Sequence, residues 1–328
     1  MPYLIKNNYS FDHQGSNIRL DLLLHTNFKS LSRERIKKAI YQKIISVNNN
    51  NLVRPSNIIK KGDRVTILKD ILKEHDLEPK DVGISVIYED RDLAIINKPA
   101  GISSHPLNNL GSDTLVNGLL FKFDELSDVN GHLKPGIVHR LDKDTSGIMI
   151  IAKNNDSHKN IAAQFKNRDI IKNYLALVKG SVEYDEGLID RPIGRSKIKR
   201  TIMVIDDSKG KPAQTYFRVI KRVSLKTTVK SQKFYTFILL FPRTGRTHQL
   251  RVHMKYYGHP IIGDFKYGLS SDLISRQALH AYQVKFFHPR EKNQISFEAP
   301  LAVDFKNLLS KLNITNYNLI LDNILKEV

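Results

Sequence analysis

The sequence predicts an α+β protein in two parts. A small N-terminal module of two helices and a hairpin precedes a larger domain built on a mixed, largely antiparallel β-sheet with flanking helices. Three observations carry this. Strand-like segments dominate and do not alternate regularly with helical ones, which is the α+β order rather than that of a βαβ repeat. The 328 residues suffice for about two domains. A charge-rich stretch over 69–83, poor in apolar residues and containing Pro79, separates the blocks as a linker. The expected boundaries are 18–68 for the module, 84–306 for the larger domain and 307–328 for a helical tail with a Leu/Ile/Asn pattern.

In the module, Leu20, Leu23 and Leu24 have helical spacing, as do Ile36, Ala39, Ile40 and Ile44, with Ser32 standing as an N-cap. Arg33, Arg35, Lys37, Lys38 and Lys43 fall between those apolar positions, so the second helix buries one stripe and turns a positive face outward. The tract 48–51, four asparagines, reads as a turn between short strands, with Ile44–Val47 before it and Leu52–Val53 and Val65–Leu68 after it. In the larger domain, Ser85–Tyr88 and Leu93–Ile96 flank a four-residue turn as in a hairpin. Gly147–Lys153 is an almost continuous apolar strand. The helix after it carries Ile161, Ala162 and Phe165 on one face, with Asp156 or Ser157 as cap. Strands over Tyr174–Val178 and Phe234–Phe241 come next, then a helix from about Thr247 to Tyr257 that Gly258 ends.

Composition narrows the chemistry. Lys and Arg number 52 against 33 Asp and Glu, a net charge of +19, while 41% of residues are hydrophobic and 26% charged. That is a folded chain with a polyanionic partner, most often nucleic acid in a cytoplasmic protein. No apolar run reaches the ~18 residues of a membrane span, and Met1–Asp12 lacks the pattern of a secretory leader. With no cysteine, disulfides, thiolate catalysis and Cys-ligated zinc or iron–sulfur sites are excluded. The positive excess concentrates in two stretches, with eleven basic and three acidic residues over 18–68 and thirteen basic and two acidic over 191–233. Arg195, Lys199 and Arg200 are the candidate phosphate contacts of the second stretch.

Three segments hold the candidate chemistry. Gly136-Ile-Val-His-Arg-Leu-Asp-Lys-Asp-Thr-Ser-Gly147 places His139, Arg140, Asp142, Lys143 and Asp144 in a loop running into a buried strand. Taken alone, that loop is equally a capping turn held by Asp, Thr and Ser. Arg243-Thr-Gly-Arg-Thr-His-Gln-Leu-Arg-Val-His253 opens a helix in which Leu250, Met254 and Tyr257 form the buried stripe, with Thr247, His248 and Arg251 elsewhere on its surface. Lys172-Asn-Tyr174-Leu-Ala-Leu-Val178 puts a tyrosine near a strand start, where packing is its ordinary role. Signatures for nucleotide phosphates, dinucleotides and HExxH zinc sites are absent. His248 and His253 are badly spaced for one metal, and Asp142-Lys143-Asp144 is a weak metal pair, so a metal-free reaction is expected.

Together, and in this order, the three segments resemble the RluA-type pseudouridine synthases. Asn97-Lys-Pro-Ala-Gly101 with His105-Pro106, Gly258-His-Pro-Ile-Ile-Gly-Asp264 and Tyr267-Gly268 extend the likeness over about Val86 to Pro300. The module, with Arg19-Leu20-Asp21 at its start and Lys61-Gly62-Asp63 near its end, resembles the S4 RNA-binding domain, which also precedes the large-subunit ribosomal RNA enzymes of that family. The segments from Pro192 to Ala213 resemble those same enzymes. The resemblance implies a pseudouridine synthase fold, isomerisation of uridine to pseudouridine, no cofactor and ribosomal or transfer RNA as substrate. It implies Asp142 as the catalytic carboxylate, attacking C1′, adding to the ring or removing a sugar proton. Arg251 is then its ion partner, Tyr174 the group stacking on the base, and Arg140 the residue filling the space left by a flipped base, with His139 holding the loop near the substrate. A cytoplasmic monomer bound to RNA is the expected state. A non-catalytic assembly factor, and a glycosidase or nuclease using Asp142 with His139, are the readings it competes with.

Overall fold

Leucines at 20, 23 and 24 lie on one face of a short helix and, with Ile36, Ala39 and Ile40 of the next, close a first core. The computed structural model describes residues 8–28, 31, 33–68, 77–104, 113–131, 134–228, 231–268 and 270–327. Its contacts divide the chain into two units, Met1–Asp76 and Leu77–Val328. Among the described residues no helix is long and apolar enough to cross a membrane.

The first unit runs β1 (Asn8–Asp12), β2 (Ile18–Arg19), α1 (Leu20–Asn27), α2 (Arg33–Tyr41), β3 (Ile45–Val47), β4 (Ile58–Ile59) and β5 (Arg64–Leu68). β1, β5 and β3 form an antiparallel sheet, and β2 pairs with β4. Two details differ from the sequence reading. A strand precedes residue 18, because Phe11 pairs opposite Val65 and packs on the core. Ile58–Ile59, rather than Leu52–Val53, makes the second short ladder. Asp21 is fully buried beneath Arg19, at 3.0 Å, and Arg33, at 3.3 Å. Burial pushes its pKa up, but the two guanidiniums outweigh that and hold it below the usual carboxylate value. Ser32 and the side chains of Arg35 and Lys38 lie outside the described residues.

The second unit begins with β6 (Ser85–Glu89), β7 (Leu93–Lys98), α3 (Leu115–Lys122), β8 (Ser146–Ala152), α4 (Asn155–Asn167) and β9 (Ile171–Lys179). It continues through β10 (Glu186–Asp190), β11 (Ile193–Arg195), β12 (Met203–Ile205), β13 (Gln214–Thr228), β14 (Ser231–Pro242) and α5 (Gln249–Tyr256). β15 (Leu279–Phe287), β16 (Gln294–Glu298), α6 (Val303–Lys311) and α7 (Asn318–Lys326) complete it. Nine strands form one mixed sheet in the order β10-β13-β14-β9-β15-β8-β7-β6, with β16 beside β15. Every pair is antiparallel except β15 with β8. The α+β architecture expected from the sequence is the one observed.

Three local expectations change. The cap of α4 is Asn154, whose side chain accepts from the Ser157 N–H at 2.9 Å, because the strand–helix junction falls two residues before Asp156 and three before Ser157. Residues 77–83, read as linker, belong to the second unit, where Leu77 and Val82 pack on its core and the Lys80 N–H donates to the Asn117 carbonyl. The segment read as a separate tail also packs there, through Leu308, Leu309, Leu321 and Ile324.

The sheet has two cores, one around β6, β7, β8, α3 and α4 and one around β9, β13, β14, α5, α6 and α7. They meet where β8 and β15 run parallel, and Tyr174 packs against both. The loop from Val138 to Thr145 ends at this seam and is tied down from behind. Lys98, fully buried at the end of β7, donates its three N–H groups to the carbonyls of Pro99, Ile102 and Lys143 at 2.7–3.1 Å. Burial, opposed by the charge of Asp144, brings its pKa down to about 7. Arg276, also buried, donates to the Asp144 carbonyl at 3.1 Å and is itself held by Asp304. Gly147, the first full step of β8, sits at φ +118°, where a Cβ would lie 2.1 Å from the Ala281 carbonyl oxygen.

That approach predicts a sharp contrast between two glycines of positive φ. Gly147→Ala should destabilise the second unit by about 3 kcal/mol, since rigid backbone on β15 cannot yield. Gly258→Ala, at φ +89° with nothing within 4 Å, should cost only about 1 kcal/mol, the backbone term alone. Urea midpoints of the two variants check this; equal losses would mean that the seam can open.

Candidate active site

Asp142 lies in the loop before β8, with its side chain about one-fifth exposed. Its Oδ2 accepts from Arg251 Nη1 at 2.9 Å. Arg251 comes from α5, the helix that follows β14, and it is 4% exposed, not on the helix surface as its spacing implied. The reason is pairing. Its Nε and Nη2 donate to the two oxygens of Asp264 at 2.6 and 2.8 Å, and its guanidinium lies 5.0 Å from the ring centroid of Tyr267. Asp264 is fully buried and also accepts from the N–H groups of Lys266 and Tyr267. Burial would lower the Arg251 pKa; the hydrogen bonds and charges of Asp264 and Asp142 outweigh it and raise the pKa above its ordinary value. A guanidinium is the group for this position, because it pairs in a fork with one carboxylate and still reaches a second.

Two adjoining cavities open at Asp142, of about 150 and 320 Å³, and share Arg140, Leu141, Asp142, His248 and Arg251 as walls. The smaller also has Tyr174 and Lys172 of β9 in its lining, and the larger has Lys143, Phe265 and Lys266. Burial and the charge of Asp142 push the Tyr174 phenol far up, so it is a neutral hydroxyl at physiological pH. The pocket thus offers an aromatic face with a polar tip, a carboxylate with one oxygen uncommitted and a guanidinium fixed on three sides.

The structure brings four of the sequence-selected residues together here: Asp142, Arg251, Tyr174 and Arg140, the last exposed at the mouth. His139 lines neither of these two cavities. Its Nε2 accepts from the Ile150 N–H at 2.9 Å and its ring packs on Phe165, 4.7 Å between centroids. Burial, with the nearby Lys172 charge, lowers its pKa to about 3, so it anchors the loop to β8 as a neutral ring. Arg195, Lys199 and Arg200 are exposed along the β11–β12 hairpin. Arg33 and Lys37 are exposed on α2 of the first unit, Arg33 with one nitrogen on Asp21. His105 and Pro106 lie outside the described residues.

Two groups escape sequence reasoning. His248, expected on the outer face of the helix, is the left-handed residue before α5, at φ 56°, and its Nε2 faces Asp142 Oδ1 at 3.9 Å. Asp264 carries no periodic signal at all; its place in a Gly-Asp-x-x-Tyr-Gly string was the only clue. As for metals, Asp90, Asp92 and His288 bring ligand atoms within 4.8 Å of one another. Their donors are engaged, Asp92 by Arg290 at 2.5 and 2.7 Å and by Asn154 and Ser157, and Asp90 by His288 at 2.9 Å. That trio is a structural tie between the β6–β7 turn and the end of β15.

Residues 92–256 match the family model described as RNA pseudouridylate synthase. An uncharacterized RNA pseudouridine synthase of Aquifex aeolicus is 38% identical over 92% of this chain and 96% of its own length. The ribosomal large subunit pseudouridine synthase D of Zymomonas mobilis is likewise 38% identical, over 92% of this chain and 95% of its own. Among solved structures, human RNA pseudouridylate synthase domain containing 1 superposes with a TM-score of 0.54 at 28% identity, over 73% of this chain and 98% of that one. The matched span contains Asp142, Tyr174 and Arg251, the groups that meet at the smaller cavity. The chain belongs to the RNA pseudouridylate synthase family, isomerases that act on RNA.

Proposed function

We infer that this enzyme converts specific uridines of large-subunit ribosomal RNA to pseudouridine, with Asp142 as its catalytic carboxylate. The observation that carries the reading is the state of Asp142, whose one oxygen is fixed by Arg251 while the other is open to a cavity beside Tyr174. The isomerisation breaks the bond from C1′ to N1, turns the uracil and joins C1′ to C5; C5 loses a proton and N1 gains one. Whether Asp142 adds to C1′ or to the ring, or takes a sugar proton, it must act as a carboxylate, and Arg251 fixes the direction of one of its oxygens. Tyr174 supports the reading as the face on which the base stacks, its hydroxyl placed to relay the C5 proton. A stacked uridine cannot reach a recessed carboxylate, so the nucleotide turns out of its helix at a cost of a few kcal/mol. Arg140, exposed at the mouth, fills the space left behind.

The choice of ribosomal RNA rests on relatives named ribosomal large subunit pseudouridine synthase D, 34–38% identical over 87–93% of this chain. The first unit acts as an S4-like module that holds folded RNA through α2, and the β11–β12 hairpin, with Arg195, Lys199 and Arg200, adds phosphate contacts in the second unit.

Chemical mapping of pseudouridine in 23S and transfer RNA incubated with the purified protein tests the reading. Modification of one or a few 23S uridines is expected, and Asp142→Asn should abolish it while leaving RNA affinity within about threefold. Pseudouridine confined to transfer RNA would move the substrate class, and turnover surviving in Asp142→Asn would remove the carboxylate from its role. Arg251→Lys keeps the charge but cannot hold both carboxylates, so kcat should fall about 100-fold from misplacement of Asp142; near-normal kcat would make Arg251 purely structural. Removing residues 1–76 should weaken RNA binding and flatten the slope of log Kd against log salt, and an unchanged slope would take the first unit out of RNA binding.

A further inference from the structure

Asp142 has a second neighbour that the roles above leave unused. His248 takes a left-handed backbone conformation, φ 56°, immediately before α5. Such a conformation is uncommon outside glycine, though His takes it more readily than most residues, and surrounding contacts hold it here. One such contact is Tyr267, whose hydroxyl lies 2.7 Å from His248 Nδ1. The same hydroxyl accepts the Met203 N–H at 2.9 Å, and Tyr267 is 4% exposed. Among the described residues its own proton therefore has one acceptor, His248 Nδ1. With Nδ1 accepting, the neutral ring carries its proton on Nε2.

Nε2 faces Asp142 Oδ1 across 3.9 Å, too far for a direct hydrogen bond. Both groups line the two cavities, and Oδ1 is the oxygen that Arg251 does not hold. A donor and an anionic acceptor at this separation accommodate one atom between them; an oxygen about 2.8 Å from each completes both hydrogen bonds. That atom must accept from Nε2–H and donate to Oδ1. A carbonyl, an ether or a phosphate oxygen only accepts, whereas a hydroxyl does both. Inside an RNA strand the 3′ and 5′ oxygens are esterified, and uracil supplies carbonyls and an N–H. The sole hydroxyl of an internal uridine is the one on C2′.

We propose that His248, held as its Nε2–H tautomer by Tyr267, and Asp142 Oδ1 together bind the ribose 2′-hydroxyl of the target uridine, so that the site distinguishes RNA from DNA and sets the sugar against the carboxylate. This rests on the reading of Asp142 as the catalytic carboxylate. His248 is a specificity determinant that touches the sugar, and Tyr267 is a positioning residue acting through it. The 2′-hydroxyl is the chemical mark by which a protein tells the two nucleic acids apart, and a hydrogen bond to a carboxylate is among the stronger ways to read it.

The test is a thermodynamic cycle on the stem-loop around the uridine that the mapping identifies, synthesised with uridine or 2′-deoxyuridine at that position. Kd is measured by stopped flow, before turnover, for the wild type and His248→Asn; asparagine tolerates the left-handed backbone but does not reach the Nε2 position. The deoxy substitution should weaken wild-type binding about tenfold and His248→Asn binding by less than about twofold. If His248→Asn does not fold, Tyr267→Phe serves, since it keeps the imidazole and removes the proton that sets the tautomer; a smaller penalty than in the wild type supports the proposal. An equal penalty in wild type and variant, or none in the wild type, overturns it. Wild-type pseudouridine formation on the unmodified stem-loop is the control: its absence would fail the functional reading, and its presence without coupling would fail this inference alone.

Discussion

One buried guanidinium between two carboxylates organises the second unit. Asp264 is fully enclosed, and its two oxygens take four donors: Nε and Nη2 of Arg251 and the N–H groups of Lys266 and Tyr267. A buried charge is tolerable only with that degree of satisfaction. The second carboxylate, Asp142, takes the one remaining edge of Arg251 through a single oxygen. Asp264 fixes the arginine and the arginine fixes Asp142 Oδ2, which leaves Oδ1 as the only carboxylate oxygen of the three-member chain open to a ligand. Replacing the chain by apolar side chains of equal volume would be no less stable in principle; what the ions supply is the direction of one lone pair.

That direction is useful only if the loop bearing Asp142 is as rigid as the helix bearing Arg251. Regular pairing cannot provide this, because the loop turns just where β8 meets β15 in parallel. Buried polar side chains replace the missing ladder. Lys98 collects three carbonyls, Arg276 collects the Asp144 carbonyl together with those of Gln277 and Leu279, and the neutral His139 ring takes the Ile150 N–H. Each tie joins the loop or its flanks to a different element. Displacement of Asp142 therefore strains several contacts at once, the kind of support that holds a side chain to within about 0.5 Å.

The sequence made some of this legible and hid the rest for a physical reason. Periodicity found β6 with β7, β8, β9, β14 and both helices of the first unit, because their apolar residues report burial directly. It put Arg251 and His248 on the outside of α5, because the method reads a polar residue as solvent-facing. Arg251, His253 and Gln249 are nevertheless at most 4% exposed, each with its polar atoms engaged by Asp264, Thr215 or Gln214. Burial by pairing has no period. Short edge strands such as β10, β11 and β16 were missed for the complementary reason, since they are half-exposed and carry few apolar residues. The motif strings paired Arg251 with Asp142, and the structure brings the two together; Asp264, the second carboxylate on Arg251, emerged only in the fold, because it stands 13 residues away with a loop between.

The same distinction between exposed and buried charge separates binding from chemistry. The excess of positive charge, +19 over the chain, includes residues such as Arg195, Lys199 and Arg200 that are exposed on a hairpin and subject to screening within a Debye length of about 8–10 Å in physiological salt. Such charges attract any polyphosphate strand and say little about which nucleotide is held. At the recessed site the balance is different. Asp142 and Asp264 share the charge of Arg251, and Tyr174 and His248 stand neutral, burial having raised the phenol and lowered the imidazole. Arg140, Lys143, Lys172 and Lys266 also stand in the cavity walls, where they suit flanking phosphates, while an uncharged base and a sugar hydroxyl would meet an aromatic face, a fixed donor and a lone pair under the proposed function. Under the proposed function, long-range charge can gather RNA without discrimination, because selection of the nucleoside is left to groups that the screening ions do not reach.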